Sequence, residues 1–405
     1  MLYGDNVKER AQRAKDKEAQ LGASIHIDEY NQIPKRHEFI SDIKFIDKKD
    51  MDAMKDGGIT LDHRSGTYIQ KDTSLLHTSI LESGLEIMSI KDALRKYEWL
   101  TEYMWNAVKV DADKYTARSE LDLHNGYFIR AEKGTKAIYP LQACLFISEN
   151  NIIQNVHNII IVEEDAELHI ITSCSVGAHV KSGLHIGVTE FYIKKNAKLS
   201  FTMIHNWAEH VKVRPRSAGI VEEGGMFLSN FICFKPVSDI QMYPTINLVG
   251  QNAVGRLNSV IVAQKNSHLD IGSRINLSAE GCKGEIVSRA ISKGGDIIAR
   301  GDMIGNAKNI KAHLECRGLL LEDGGYIHAI PELIAKLPDL TMSHEAAVGK
   351  IAQDQIEYLM ARGLSEDEAT AAIVRGFIDV DIKGLPDELN NEIKKLIDIE
   401  GDKFL

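Results

Sequence analysis

What this chain lacks narrows its function before any motif is considered. No apolar run in its 405 residues approaches the ~20 that a membrane-spanning helix needs. The first twenty residues are charged throughout and have no signal-peptide core. There is no basic stripe, and a formal net charge of −10 argues against a nucleic-acid surface. Cysteine is sparse: Cys144, Cys174, Cys233, Cys282 and Cys316 are odd in number, widely spaced and without a C-x-x-C pair. That excludes a disulfide scaffold, a zinc finger and a ferredoxin-type run. No G-x-x-x-x-G-K-[ST] sequence occurs, so any ATP hydrolysis has to come from another subunit. The expectation is a cytoplasmic protein with reduced thiols.

What is present suits a folded core: 44% hydrophobic and 26% charged residues. Residues 1–24 read as a polar helix, residues 25–78 as mixed, and Ser79–Trp105 as helical, with a Ser89 cap before Ile90-Lys91-Asp92. After about Val110 the texture changes to short β-branched and aromatic runs separated by small polar turns. The turns at Asp165, Asn196, Gly224, Asn252, Asn266, Gly294 and Gly324 succeed one another at 31, 28, 28, 14, 28 and 30 residues. A period near 28 with a half-step of 14 indicates a solenoid, and strands with small corner residues indicate a parallel β-helix. A β-sandwich of regular hairpins is the alternative. The expected division is 1–110 mixed and helical, 111–342 β-helix, and 343–405 helical. In the last part Gly363 stops one helix, Ser365-Glu366-Asp367-Glu368 opens the next, and Leu385-Pro386-Asp387 opens another.

Near the end of the repeats lie Cys316, His344 and Glu345, a thiol, an imidazole and a carboxylate of the kind a transition metal accepts. The interval from 316 to 344 is again 28, which places the first two on neighbouring coils, side by side. Ser343-His344-Glu345-Ala346 reads as the start of a helix.

Several stretches resemble one family. Gly363-Leu364-Ser365-Glu366-Asp367-Glu368-Ala369 with Ile373-Val374-Arg375-Gly376-Phe377 is similar to the C-terminal signature of the SufB/SufD proteins of iron–sulfur cluster assembly. So is Ser343-His344-Glu345-Ala346 with Gly349-Lys350-Ile351, while Gly126-Tyr127-Phe128 with Pro140-Leu141-Gln142 resembles the segment where their β-helix begins and Asn206-Trp207 a shared spot in the middle of it. The resemblance spans roughly residues 110–390 and implies a right-handed parallel β-helix flanked by helical segments. It also implies C-terminal helices that dock on a SufC-like ABC ATPase, and two β-helices paired side by side with cluster assembly near that surface. By position, Cys316, His344 and Glu345 fall on the cluster-linked residues, and Cys174 falls on the inner cysteine that accepts sulfur. Ser343 stands where SufB has an acidic residue, and His205 replaces the Gln that often precedes Asn-Trp. These departures point to an undivided SufB/SufD type of the archaeal kind, acting as a homodimer.

The resemblance thus implies a scaffold, not an enzyme. It would carry a transient two- or four-iron cluster and pass it to apo iron–sulfur proteins. Fewer than four thiolates suit a scaffold, because iron held partly by imidazole or carboxylate leaves more readily. Each residue also has a plain structural explanation: Cys316 and Cys174 as small buried hydrophobes, His344 as a helix-start residue, Glu345 as a first-turn acid. Cys144, Cys233 and Cys282 read as structural, and His169, His179, His185, His205 and His210 as scattered histidines. Two other functions compete: a SufD-like accessory subunit without its own cluster, and a β-helix enzyme acting on polysaccharide with paired carboxylates.

Overall fold

The computed structural model describes residues 3–378. Between Tyr127 and Gly349 the β-branched runs form strands that stack in parallel register, making a β-solenoid of about eight turns. Each coil gives one strand to a ten-stranded front sheet and one or two to a back sheet. The corners lie where the sequence places them: Asp165, Asn196, Gly224, Asn252, Asn266, Gly294 and Gly324 all adopt φ between 57° and 103°. Asn, Asp and Gly tolerate this left-handed geometry, which other residues adopt only with strain. Along the strands alternate side chains point inward, so equivalent residues of successive coils form continuous rows. Leu168, Leu199, Phe227, Leu257, Ile286 and Leu314 belong to the single interior core.

The two ends of the solenoid differ. The N-terminal edges are closed by antiparallel strands, Ser74–Ile80 beside Gly66–Lys71 in the front sheet and Leu85–Ser89 beside Tyr127–Ala131 in the back. At the other end the outermost strands are Thr341–Gly349 and Ile327–Ala335, each with one neighbour in its sheet among the described residues.

Two local expectations need correction. Ser79–Trp105 is not one helix: it holds the end of a strand, a second strand at Leu85–Ser89, and a short helix from Ile90 capped by Ser89, whose hydroxyl accepts from the Asp92 amide at 3.1 Å. Ile80, Ile87 and Ile90 satisfy a helical spacing by coincidence, and pairing with the first coil overrides it. Likewise Ser343-His344-Glu345-Ala346 lies on the strand Thr341–Gly349, because the preceding coil offers a paired edge from Lys311 to Leu319. The segment Leu385-Pro386-Asp387 falls outside the described residues.

The N-terminal part carries four helices, α1 (Tyr3–Ala14), α2 (Lys48–Asp56), α3 (Ile90–Lys96) and α4 (Lys114–Leu121). It is pinned to the back sheet by Glu190, whose carboxylate is wholly buried. That carboxylate accepts from the amides of Trp105 (2.6 Å), Ala107 (2.6 Å) and Val108 (2.9 Å), from the Tyr192 hydroxyl (3.0 Å), and from His157 Nε2 (2.8 Å). Five donors around one carboxylate replace the water it has lost.

Beyond Gly349 the described residues form two helices, α5 (Gln353–Met360) and α6 (Glu366–Ile378). The Ser365 capping box forms as the sequence indicates: its hydroxyl accepts from the Glu368 amide at 3.2 Å and the Glu368 carboxylate accepts from the Ser365 amide at 2.8 Å. α6 sets Val374 and Ile378 against Val287, Ile291 and Leu319 on the outer face of the front sheet.

Glu190→Ala leaves the amides of Trp105 and Val108 and the His157 imidazole without this acceptor in the interior, and the Ala107 amide with only the Tyr192 hydroxyl oxygen. We expect it to cost roughly 3–5 kcal/mol, measured by urea unfolding. A loss within about 0.5 kcal/mol would contradict the anchoring role.

Candidate functional site

Cys316 sits mid-way along the front-sheet strand Lys311–Glu322, with Ser288 of the preceding coil and Ala346 of the following coil as its ladder partners. It points into the core beside Leu314 and is 2% exposed. Burial pushes its thiol up to about 11, with the nearby Arg289 opposing that shift and Glu315 adding to it. His344 pairs with Leu314, not with Cys316, because one coil here takes 30 residues and the 28-residue interval falls two short. Alternation nevertheless puts His344 at an inward-facing position of the last coil, diagonal to Cys316, with roughly 8 Å between the Cα atoms. Nothing follows to cover it among the described residues, so His344 is exposed.

Glu345 is on the opposite face. It pairs with Glu315, and its carboxylate lies 3.7 Å from Arg317. The structure therefore brings Cys316 and His344 to one side of the sheet and Glu345 to the other. Among the described residues no three His, Cys, Asp or Glu side chains are grouped closely enough to hold a metal ion. One chain thus presents two of the three candidate ligands together, at the bare end of the solenoid.

Cys174 occupies a different part of the interior. It is five front-sheet strands from Cys316, roughly 24 Å along the stack. It is 2% exposed and lines a small internal cavity with Tyr127, Thr172, His185, Met203 and His205. His205 is its ladder partner. Burial pushes the Cys174 thiol up to about 12 and the His185 imidazole down to about 3. His205 is lowered as well, by burial and then by His185. Both imidazoles lean on Trp207, at 5.2 and 5.4 Å between ring centres. Three of the five histidines read as scattered are thus buried: His185 and His205 share this cavity, and His169 lies elsewhere in the front sheet, while His179 and His210 are exposed. Cys144, Cys233 and Cys282 are buried.

With the geometry in hand, comparison with known proteins decides the family. Residues 145–377 match the family model described as SUF system FeS cluster assembly, SufBD core domain. The chain belongs to the SufBD family. It is 46% identical over 406 residues to an iron–sulfur cluster assembly SufBD family protein of Methanothermobacter thermautotrophicus (strain Winter), covering 98% of this chain and 99% of that one. A SufBD family protein of Archaeoglobus fulgidus is 50% identical over 352 residues, 86% of this chain and 95% of the relative. The iron–sulfur cluster assembly protein SufB of Bacillus subtilis (strain 168) is 31% identical over 345 residues, 83% and 74% respectively.

Within this SufBD core, sequence reasoning missed the charged residues around the cysteine. Glu315 and Arg317 flank Cys316 and face outward, and Arg289 lies one coil back. A Glu-x-Arg pair straddling an inward cysteine was the available signal, but only the register shows which coil it meets.

The buried imidazoles carry a pH consequence. Their folded pKa values lie below the ordinary 6.5, so the folded state binds fewer protons than the unfolded chain. Their contribution to stability is complete above about 6.5 and declines as pH falls through the folded values, about 3 for His185. We expect urea midpoints to drop between pH 7 and 5, and the His185→Gln/His205→Gln double variant to show a shallower decline. An unchanged slope in that variant would contradict the assignment.

Proposed function

We propose that this protein is a scaffold on which an iron–sulfur cluster is built and released, with Cys316 and His344 as ligands at the bare end of the β-helix. The observation that carries this reading is their placement: a thiol and an imidazole on the same inward face, one coil apart, where the stack stops. A single chain offers too few ligands, and two copies meeting across a two-fold axis at their last coils, and not side by side as the resemblance implies, would double the set. The last coil favours such pairing. Among the described residues the strands Thr341–Gly349 and Ile327–Ala335 have free edges, and Tyr326, Ile334 and Val348 are 46%, 44% and 43% exposed. A homodimer joined through these edges brings both cysteines toward one seam. Glu345 joins the ligand set only if the last strand turns its outer face toward the partner.

Cys316 is covered in the resting structure, so iron can reach it only when the terminal coils shift. A SufC-like ABC ATPase docked on α5 and α6 supplies that motion, since α6 rests on the outer face of the Cys316 strand and of the strand before it. Sulfur enters at Cys174, whose cavity also presents Thr172 Oγ1 and His205 Nδ1 without hydrogen-bond partners. The cluster, of two or four irons, is cargo. Its limited thiolate ligation favours transfer to apo iron–sulfur proteins.

A polysaccharide-cleaving site gains little support. The back-sheet carboxylates Asp270 and Asp302 are each taken up by an arginine, Arg300 and Arg274, at 2.6 Å. A SufD-like accessory role is favoured by one observation, the lack of a third converging ligand among the described residues.

Anaerobic reconstitution of the full chain with iron and sulfide separates these readings. Cys316→Ser is expected to lose at least tenfold of the bound cluster absorption, and His344→Ala to bind a cluster that chelators strip several-fold faster. Full cluster retention in Cys316→Ser would defeat the proposed ligand set, and an unaltered chain that takes up no cluster would favour the accessory reading. Independently, Ile334→Lys should convert a dimer to a monomer in sedimentation. A dimer that survives that change would place the interface elsewhere.

A further inference from the structure

The outer face of the front sheet carries a line of alternating charges that no role assigned so far uses. It starts at α6, where the Phe377 ring lies 6.0 Å from the Arg289 guanidinium. Arg289 Nη2 reaches Glu315 Oε1 at 3.0 Å, Arg317 Nε reaches the same carboxylate at 2.5 Å, and Arg317 Nη2 lies 3.7 Å from Glu345. The register makes the line obligatory. Arg289 and Arg317 are ladder partners, as are Glu315 and Glu345, so like charges stand directly opposite across the strands. Such pairs repel unless each finds a diagonal counter-charge. The inner member is costly to keep: the Arg289 side chain is 12% exposed and its Nη1 has no hydrogen-bond partner. A buried guanidinium left part-satisfied calls for a role beyond stability. The opposite face of the same segment holds the cluster candidates, with Cys316 between Glu315 and Arg317 and His344 next to Glu345.

We propose that Arg289 is a positioning residue that couples the seat of α6 to the strands bearing Cys316 and His344, through Glu315, Arg317 and Glu345. The inference rests on the scaffold reading for its purpose, and on the ion-pair geometry for its route. When α6 is drawn outward by a partner, Phe377 leaves Arg289. The guanidinium then loses its cover and re-solvates, its hold on Glu315 weakens, and the Glu315–Cys316–Arg317 segment is free to turn. The apolar contact between α6 and the sheet takes in Val287, the ladder partner of Glu315, together with Ile291 and Leu319 farther along the strands. The charged line addresses the residues flanking the thiol.

The test uses the full chain in complex with its ATP-hydrolysing partner, under reducing anaerobic conditions. The readout is the rate at which a maleimide labels Cys316, followed by peptide mass spectrometry with and without ATP. In the unaltered protein ATP should raise that rate at least fivefold. In Arg289→Met the increase should fall below twofold while ATP turnover stays within twofold, and Arg289→Lys, which keeps charge but not the fork, should recover part of it. Glu315→Gln breaks the same line at its next member and should behave like Arg289→Met, which keeps the test open if the latter does not fold. Because the labelling needs no cluster, its outcome is independent of whether Cys316→Ser still loads iron. An ATP response that persists in both broken variants, or its absence in the unaltered protein, overturns the coupling.

Discussion

Parallel pairing between successive coils is the constraint on which everything else depends. Once Thr341–Gly349 is hydrogen-bonded to Lys311–Leu319 in a fixed register, each side chain of the last coil has its face and its neighbour decided. A shift of one residue would exchange the inner and outer sets. His344 would then face outward and Glu345 would turn to the core side, while Cys316, held by its pairing with the preceding coil, would keep its place. The chemistry of the site is therefore a consequence of register, and register follows from the corner residues and from the inward rows of Leu, Ile and Phe.

The same constraint explains the asymmetry of the molecule. A solenoid buries its core only where another coil or a cap covers it. At the N-terminal end antiparallel strands serve as that cap, and Glu190 fastens the N-terminal helices over the back sheet. Among the described residues the other end keeps two free strand edges and partly exposed apolar residues of the last coil. Such an end is a liability in a monomer and useful in a protein that works against a second copy. The candidate ligands lie at that end, not in the well-covered middle, where Cys174 and its neutral imidazoles are shielded from water.

Much of the fold was legible in the residues. The corners at Asp165, Asn196, Gly224, Asn252, Asn266, Gly294 and Gly324 announced themselves through small polar residues at intervals near 28 or its half, because only such residues accept positive φ cheaply. The caps at Ser89 and Ser365 were legible for the same local reason. What depends on long-range pairing was not. Ser343-His344-Glu345 reads equally well as a helix start until the neighbouring edge is known. The two-residue lag between Cys316 and His344 is invisible when the coil length drifts from 28 to 30. The split of Cys316 and His344 from Glu345, and the line from Phe377 to Glu345, follow from register alone.

One measurement bears most directly on the central claim: iron anomalous scattering from crystals of the anaerobically reconstituted protein. The account predicts iron at the bare end of the β-helix, between two copies related by a two-fold axis, within bonding distance of Cys316 Sγ and the His344 imidazole. Iron located instead beside Cys174, or on a surface remote from the strand Thr341–Gly349, would contradict it.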